Sequence, residues 1–166
     1  QRQRVVIAGA MVLQPSLLVA DEPVSSLDAS VRGEILQLLL GLSRDRGMTI
    51  LVVTHDLGLA WNIADRVAVM YLGRIVEVGT TEQILAAPQH PYTKALLSVV
   101  PEHDRMEQQI LTGEAPDPTQ IPAGCRFHPR CPLYQSGEAE RMGILNACTS
   151  DDPKLVEGVA CHAARR

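Results

Sequence analysis

The chain has 166 residues, enough to bury a core as one domain or one domain with an appendage, and a formal net charge of −4. With that acidic balance and 3% aromatic residues it has neither a basic footprint nor base-stacking platforms, so a nucleic-acid partner is not expected. No apolar run approaches the ~20 residues of a membrane-spanning helix, and no secretory leader is recognisable.

Arg2 to Leu13 reads as a well-buried helix, because Val5, Val6, Met11, Val12 and Leu13 are apolar on more than one side. Gly9 costs that helix about 1 kcal/mol relative to alanine. Gln14-Pro15-Ser16 ends it and leads into Leu17-Leu18-Val19-Ala20, an all-apolar run that fits a strand buried on both faces of a parallel sheet. The run meets two carboxylates, Asp21 and Glu22. Ligands of open α/β sheets bind at the carboxyl ends of strands. Asp21 can hold Mg²⁺ there, directly or through water, and Glu22 can polarise a water that attacks a phosphate. An ordinary polar turn before Pro23 is the plainer reading of the same residues.

Ala29 to Arg46 is the clearest helix, with Ile35, Leu38, Leu39 and Leu42 on one face, Asp28 as its N-cap and Gly47 as its stop. Met48 to Thr54 reads as a second buried strand, ending at His55-Asp56. A histidine at that point can donate to a γ-phosphate and hold an attacking water; a surface-turn histidine is the alternative. Leu57 to Ile63 reads as a short helix with Trp61 packed inward. Arg66 to Tyr71 and Arg74 to Val78 flank Leu72-Gly73 as a hairpin, and Thr80-Thr81-Glu82 opens a short capped helix through Ile84 and Leu85. The order of elements predicts an α/β fold.

Composition shifts near Pro88. Pro91 fits the first turn of a helix that ends before Pro101, and Glu102 to Asp117 reads as an exposed connector. All four cysteines, Cys125, Cys131, Cys148 and Cys161, fall in the last segment. Their clustering in a short, proline-rich, poorly apolar tail points to something other than a hydrophobic core holding it together. Four thiolates suit an iron–sulfur cluster or a structural zinc equally well by ligand type, and disulfides or four unrelated thiols are also open. Their spacing matches neither common ferredoxin pattern. His128 and His162 are candidate substitute ligands or neighbouring donors.

Several of these stretches together resemble the ATP-binding subunit of ABC transporters. Gln1-Arg2-Gln3-Arg4 is similar to the end of the family's signature motif, and Leu17 to Glu22 to Walker B. Ser25-Ser26-Leu27-Asp28 is similar to the D-loop, and Ile50 to Asp56 to the strand and switch histidine. Gly9 departs from the family, which more often has arginine there. The resemblance implies that Asp21 helps hold the Mg²⁺ of ATP, that Glu22 is the catalytic glutamate and that His55 contacts the γ-phosphate. It implies that Gln1 edges the signature surface facing a nucleotide across a dimer, and that Asp28 links the two sites. Gln89 to Leu97, Gly124 to Pro132, Cys148 and Val159-Ala160-Cys161-His162 resemble the C-terminal region of ABC ATPases that import dipeptides and oligopeptides, with nickel importers as close relatives. In part of that family the four thiolates bind a [4Fe–4S] cluster. The resemblance implies the cluster here, with Zn²⁺ as the alternative, and a reducing cytosol argues against disulfides.

The implied organisation is the C-terminal part of a P-loop NTPase domain over residues 1–87, followed by a cysteine-containing extension over 88–166. The implied function is ATP hydrolysis that energises dipeptide or oligopeptide uptake, at the cytoplasmic face of the inner membrane. Implied partners are a second ATP-binding subunit, membrane permease subunits and, through them, a substrate-binding protein. No G-x-x-x-x-G-K-[ST] occurs in the chain. The chain is therefore expected to be a piece of a longer protein and to be inactive by itself. A soluble ABC ATPase without a transport role and a non-enzymatic metal-binding module stay open as other classes.

Overall fold

The structure is a computed structural model that describes residues 2–25, 27–100, 108–114 and 116–164. Gln1, Ser26 and part of the expected connector lie outside the described residues. Two compact units, Gln1–Ile63 and Ala64–Arg166, each have their own core.

The first unit runs α1 (Arg2–Met11), β1 (Leu17–Asp21), α2 (Ala29–Arg46), β2 (Thr49–Val53) and α3 (Leu57–Ile63). β1 and β2 pair in parallel, from Leu17 opposite Thr49 to Asp21 opposite Val53. Ile35 and Leu39 of α2 pack against Val24 and Leu59, with Leu18, Ile50 and Val52 of the strands around them. Gly47 stops α2 with φ of 61°, a left-handed conformation that costs glycine little. Asp28 stands at the N-cap position but its side chain makes no capping bond, so the expected stabilisation of α2 from that carboxylate is absent.

Expectations of burial fail in this unit in three places. α1 has no buried residue, and Val5 and Val6 are largely exposed. Both strands alternate along their length: Leu18, Ile50 and Val52 pack inward, while Leu17, Val19, Leu51 and Val53 are half exposed. Trp61 is also half exposed. A parallel pair is normally covered on both faces, and here one face is covered and the other, equally apolar, is bare.

The second unit opens with the hairpin β3 (Arg66–Tyr71) and β4 (Arg74–Thr80), whose antiparallel ladder slips once between Val69 and Met70. Leu72 and Gly73 turn it with φ of 46° and 73°, the doubly left-handed geometry that matches strand twist. α4 (Thr81–Ala86) starts in a capping box between Thr80 and Gln83. α5 (Pro91–Ser98) starts at His90, with Pro91 in its first turn. The tail holds a 3₁₀ turn at His128–Arg130 and three short helices, α6 (Pro132–Gln135), α7 (Glu138–Arg141) and α8 (Leu145–Ser150).

One apolar cluster joins hairpin and tail: Val69, Tyr71, Val76, Ile84 and Phe127. Phe127 is 1% exposed, and the rings of Tyr71 and Tyr92 stand 5.1 and 5.3 Å from it. The end of the tail then lies along β4. The Val78 amide donates to the Gly158 carbonyl and the Ala160 amide to the Val76 carbonyl, both at 2.8 Å. Gly158 has φ of 86°, and a Cβ there would lie 2.4 Å from the Val78 oxygen, so only glycine lets the tail approach this closely.

Candidate functional site

The first site lies where β1 and β2 end together. Parallel pairing carries one bond past the strand, from the Glu22 amide to the Val53 carbonyl at 2.9 Å. Glu22 then turns with φ of 44°, a left-handed conformation unusual for a residue with a Cβ and frequent at functional turns. That turn brings its carboxylate across to the end of β2. Glu22 Oε1 accepts the His55 backbone N–H at 3.1 Å and lies 2.7 Å from His55 Nδ1. The His55 side chain is 81% exposed, so its ring can meet a ligand from solution.

Neighbouring bonds fix both turns. Gln3 donates from Nε2 to the Pro23 carbonyl at 2.7 Å, and the Ser25 amide and hydroxyl donate to the Glu22 carbonyl. On the other side Asp56 Oδ1 accepts the Leu59 amide at 3.0 Å and starts α3. Asp21 is the exposed last residue of β1. The sequence motifs placed Glu22 and His55 in separate roles, and the structure joins them in one hydrogen-bonded pair. Asp28 is exposed at the start of α2.

The second site lies in the tail. All four cysteines are free thiols of intermediate burial, and all four line one cavity together with His90, Phe127, His128 and His162. Backbone bonds bring them there. The Cys125 amide donates to the Cys148 carbonyl at 3.0 Å, and the 3₁₀ turn after Cys125 carries the chain to Cys131. Gly124 has φ of 68°, and a Cβ on it would fall 2.5 Å from the Thr149 carbonyl carbon. Burial pushes the Cys125 thiol up to about 11, against the backbone N–H of Phe127, and the other three cysteines add to the rise. Burial likewise raises Cys148 to about 11 and raises Cys131, on which backbone N–H groups of Tyr134 and Leu133 act in the opposite sense. Burial thus holds these three as protonated thiols near neutral pH, and a nearby cation would favour their thiolates. Among the described residues, no three His, Cys, Asp or Glu side chains are grouped so as to hold one metal ion.

Three residues around this cavity carry geometry that the motifs did not reveal. Glu77 is 2% exposed in β4, and its two carboxylate oxygens accept the amides of Gln89 at 2.6 Å and His90 at 3.0 Å. His90 is 1% exposed, its Nδ1 accepts the Tyr92 amide at 3.0 Å, and burial together with nearby Lys94 lowers its pKa to about 4. Phe127 closes the cavity wall. The available signal was a glutamate amid valines in a strand and the chain's one phenylalanine between two cysteines.

Residues 76–137 match the model of the oligopeptide/dipeptide transporter C-terminal region. The chain is 53% identical over 134 residues to the dipeptide transport ATP-binding protein DppF of Haemophilus influenzae, covering 79% of this chain and 41% of that one. It is 46% identical over 160 residues to a putative peptide import ATP-binding protein of Brucella ovis, covering 95% of this chain and 47% of that one. Among solved structures, cbiO1 of Clostridium perfringens, part of the ABC transporter complex cbiONQ, gives a TM-score of 0.47 at 37% identity over 51% of this chain and 34% of that chain. The chain thus spans less than half the length of the curated relatives named here.

Proposed function

We propose that this chain, which belongs to the family of ATP-binding proteins of peptide ABC transporters, supplies the water-activating end of an ATPase site in a subunit that energises peptide uptake. The Glu22–His55 pair supports this reading most: a carboxylate and an imidazole 2.7 Å apart, at the carboxyl ends of two parallel strands. In this reading residues 1–87 are the end of a P-loop NTPase domain and residues 88–166 its extension. Leu17 to Glu22 is then Walker B.

Glu22 Oε1 is engaged by His55, and Oε2 is the oxygen that takes a proton from the attacking water. The exposed His55 ring turns to the γ-phosphate while its backbone N–H keeps Glu22 in place. Asp21 is a carboxylate of the type that holds Mg²⁺ beside substrate phosphates. Asp28, and Gln1 outside the described residues, would face the second ATP-binding subunit. Permease subunits, a substrate-binding protein reached through them and a peripheral place at the cytoplasmic membrane face complete the reading. No described helix is long and apolar enough to cross a membrane.

The donor set of the tail fits a metal centre, since four thiols share one cavity and burial disfavours ionisation of Cys125, Cys131 and Cys148, which a bound cation would offset. Around one zinc, thiolates bound at 2.3 Å stand about 3.8 Å apart by tetrahedral geometry. A four-iron cluster spreads its cysteine ligands over four metal atoms. By donor type Cys125, Cys131, Cys148 and Cys161 suit a [4Fe–4S] cluster or Zn²⁺ equally, and it is the resemblance to the C-terminal region of peptide importers that favours the cluster in this reading. When bound, such a centre supplies folding free energy to the tail.

The test is Glu22→Gln in the full-length protein. It is expected to bind Mg-ATP and to lose hydrolysis by about 10²–10⁴-fold, the usual contribution of a general base. Phosphate release at the wild-type rate refutes the assignment.

A further inference from the structure

We propose that His90 donates a hydrogen bond through its Nε2–H to a sulfur of the group held by the four cysteines. The inference rests on the reading of the tail as a metal centre and adds a residue to it. His90 Nδ1 accepts the Tyr92 amide, and a ring nitrogen that accepts carries no proton. The neutral ring therefore has its proton on Nε2. The backbone of the same residue is pinned by Glu77, which accepts its amide, and the ring lies against Phe127 with centroids 5.6 Å apart. Ring and backbone are both fixed, and the ring lines the cavity of the four sulfurs.

Two other histidines line that cavity, and their bonds place their protons elsewhere. His128 Nδ1 is 2.9 Å from the Cys125 carbonyl, and His162 Nε2 is 2.9 Å from the Asp151 carbonyl. Carbonyl oxygens only accept, so each of these rings spends its proton on the backbone. His90 is the one of the three whose proton sits on the nitrogen not engaged by these bonds. Apart from those two rings and Tyr134, the rest of the cavity lining is apolar groups and the four cysteines, so cysteine thiolates and cluster sulfides are the acceptors assigned to His90. Hydrogen bonds to cluster sulfurs withdraw electron density and favour the reduced form.

The experiment uses the full-length protein, reconstituted anaerobically with iron and sulfide, as wild type and as His90→Asn. Asparagine is a strong N-cap with an oxygen for the Tyr92 amide, so it removes the ring N–H while α5 keeps its start. Both proteins are expected to hold about four irons and four sulfides per chain. The variant's midpoint potential at an electrode should fall by the equivalent of a tenfold loss of reduced over oxidised form, 59 mV for one electron. Its Fe–S(Cys) stretching bands, read by Raman scattering without any reduction, should move as well. A fully loaded variant with unmoved potential and unmoved bands overturns the proposal. Should the variant load poorly, protein carrying ¹⁵N-histidine and the changes His128→Gln and His162→Gln decides: coupling of the reduced cluster to a ring nitrogen is expected from His90, and absence of coupling overturns the proposal. A wild type without iron and sulfide instead removes the metal reading itself, a failure separate from an effect missing at His90.

Discussion

Gly124→Ala should detach Cys125 from Cys148, and the loss can be worked from the backbone. The new Cβ would sit 2.5 Å from the Thr149 carbonyl carbon, 2.6 Å from the Cys148 oxygen and 2.8 Å from the Ser150 nitrogen. Carbon contacts need about 3.5 Å, so the α8 segment must retreat by about 1 Å. Overpacking of this kind costs ~1–3 kcal/mol. The left-handed φ of 68° adds ~1–2 kcal/mol for alanine. The retreat also breaks the Cys125–Cys148 backbone bond, worth ~1 kcal/mol. The total is about 3–6 kcal/mol, and each ~1.4 kcal/mol is tenfold in the population of the opened tail. Gly137→Ala is the control, because Gly137 has φ of 77° with nothing within 4 Å of a new Cβ. It should pay the left-handed cost alone. Limited proteolysis of the tail, with iron content measured in parallel on the full-length protein, separates the two. Equal sensitivity of the two variants would refute the close-approach argument.

Two further outcomes follow from burial. In metal-free protein Cys125 and Cys148, raised to about 11, should have about 100-fold less thiolate at pH 8 than thiols at the usual value near 9. Their alkylation should be slow at pH 8 and should climb about tenfold per pH unit up to about 11, since the thiolate is the nucleophile. Mass-spectrometric labelling at the rate of an ordinary exposed thiol contradicts the buried placement. The isolated chain should self-associate through the bare face of Leu17, Val19, Leu51 and Val53, where an apolar strand pair meets water. A monodisperse monomer in gel filtration at high concentration would show that this face is not sticky.

Local signals carried most of the secondary structure into the sequence. Gly47 marks the end of α2, Leu72-Gly73 the hairpin turn and Pro91 the first turn of α5, because each answers to a backbone demand of its own residue. Burial was less legible. The runs at Leu17–Asp21 and Thr49–Val53 are apolar on both faces, and that pattern predicts two covered faces whether or not the covering layer is present. The candidate site was legible as residue types at strand ends, but not as a bond. Glu22 and His55 are 33 positions apart, and only parallel register with a left-handed turn at Glu22 puts them 2.7 Å from each other. Glu77 and His90 escaped for the same reason: their meaning is a long-range contact, not a local pattern.

The tail's dependence on β4 bears on whether it is a metal-binding module in its own right. Its polar composition suggested that something other than a hydrophobic core would have to order it. Phe127 instead places the tail in the core of the hairpin, beside Tyr71 and Val76. Val76 and Val78 bond its returning segment on either side of Glu77, and the carboxylate of Glu77 holds the turn from which the His90 ring enters the cavity. A single strand thus aligns the segment just before Cys161 and the residue that caps α5. Cutting the tail away from Ala64–Ala86 would remove Val69, Tyr71, Val76 and Ile84 and leave Phe127 without its cluster. The cysteine site is accordingly built onto the hairpin, and an isolated 88–166 segment should fail to fold, read as a flat and exchange-exposed tail by circular dichroism and hydrogen exchange, even with all four cysteines present and iron and sulfide or zinc supplied.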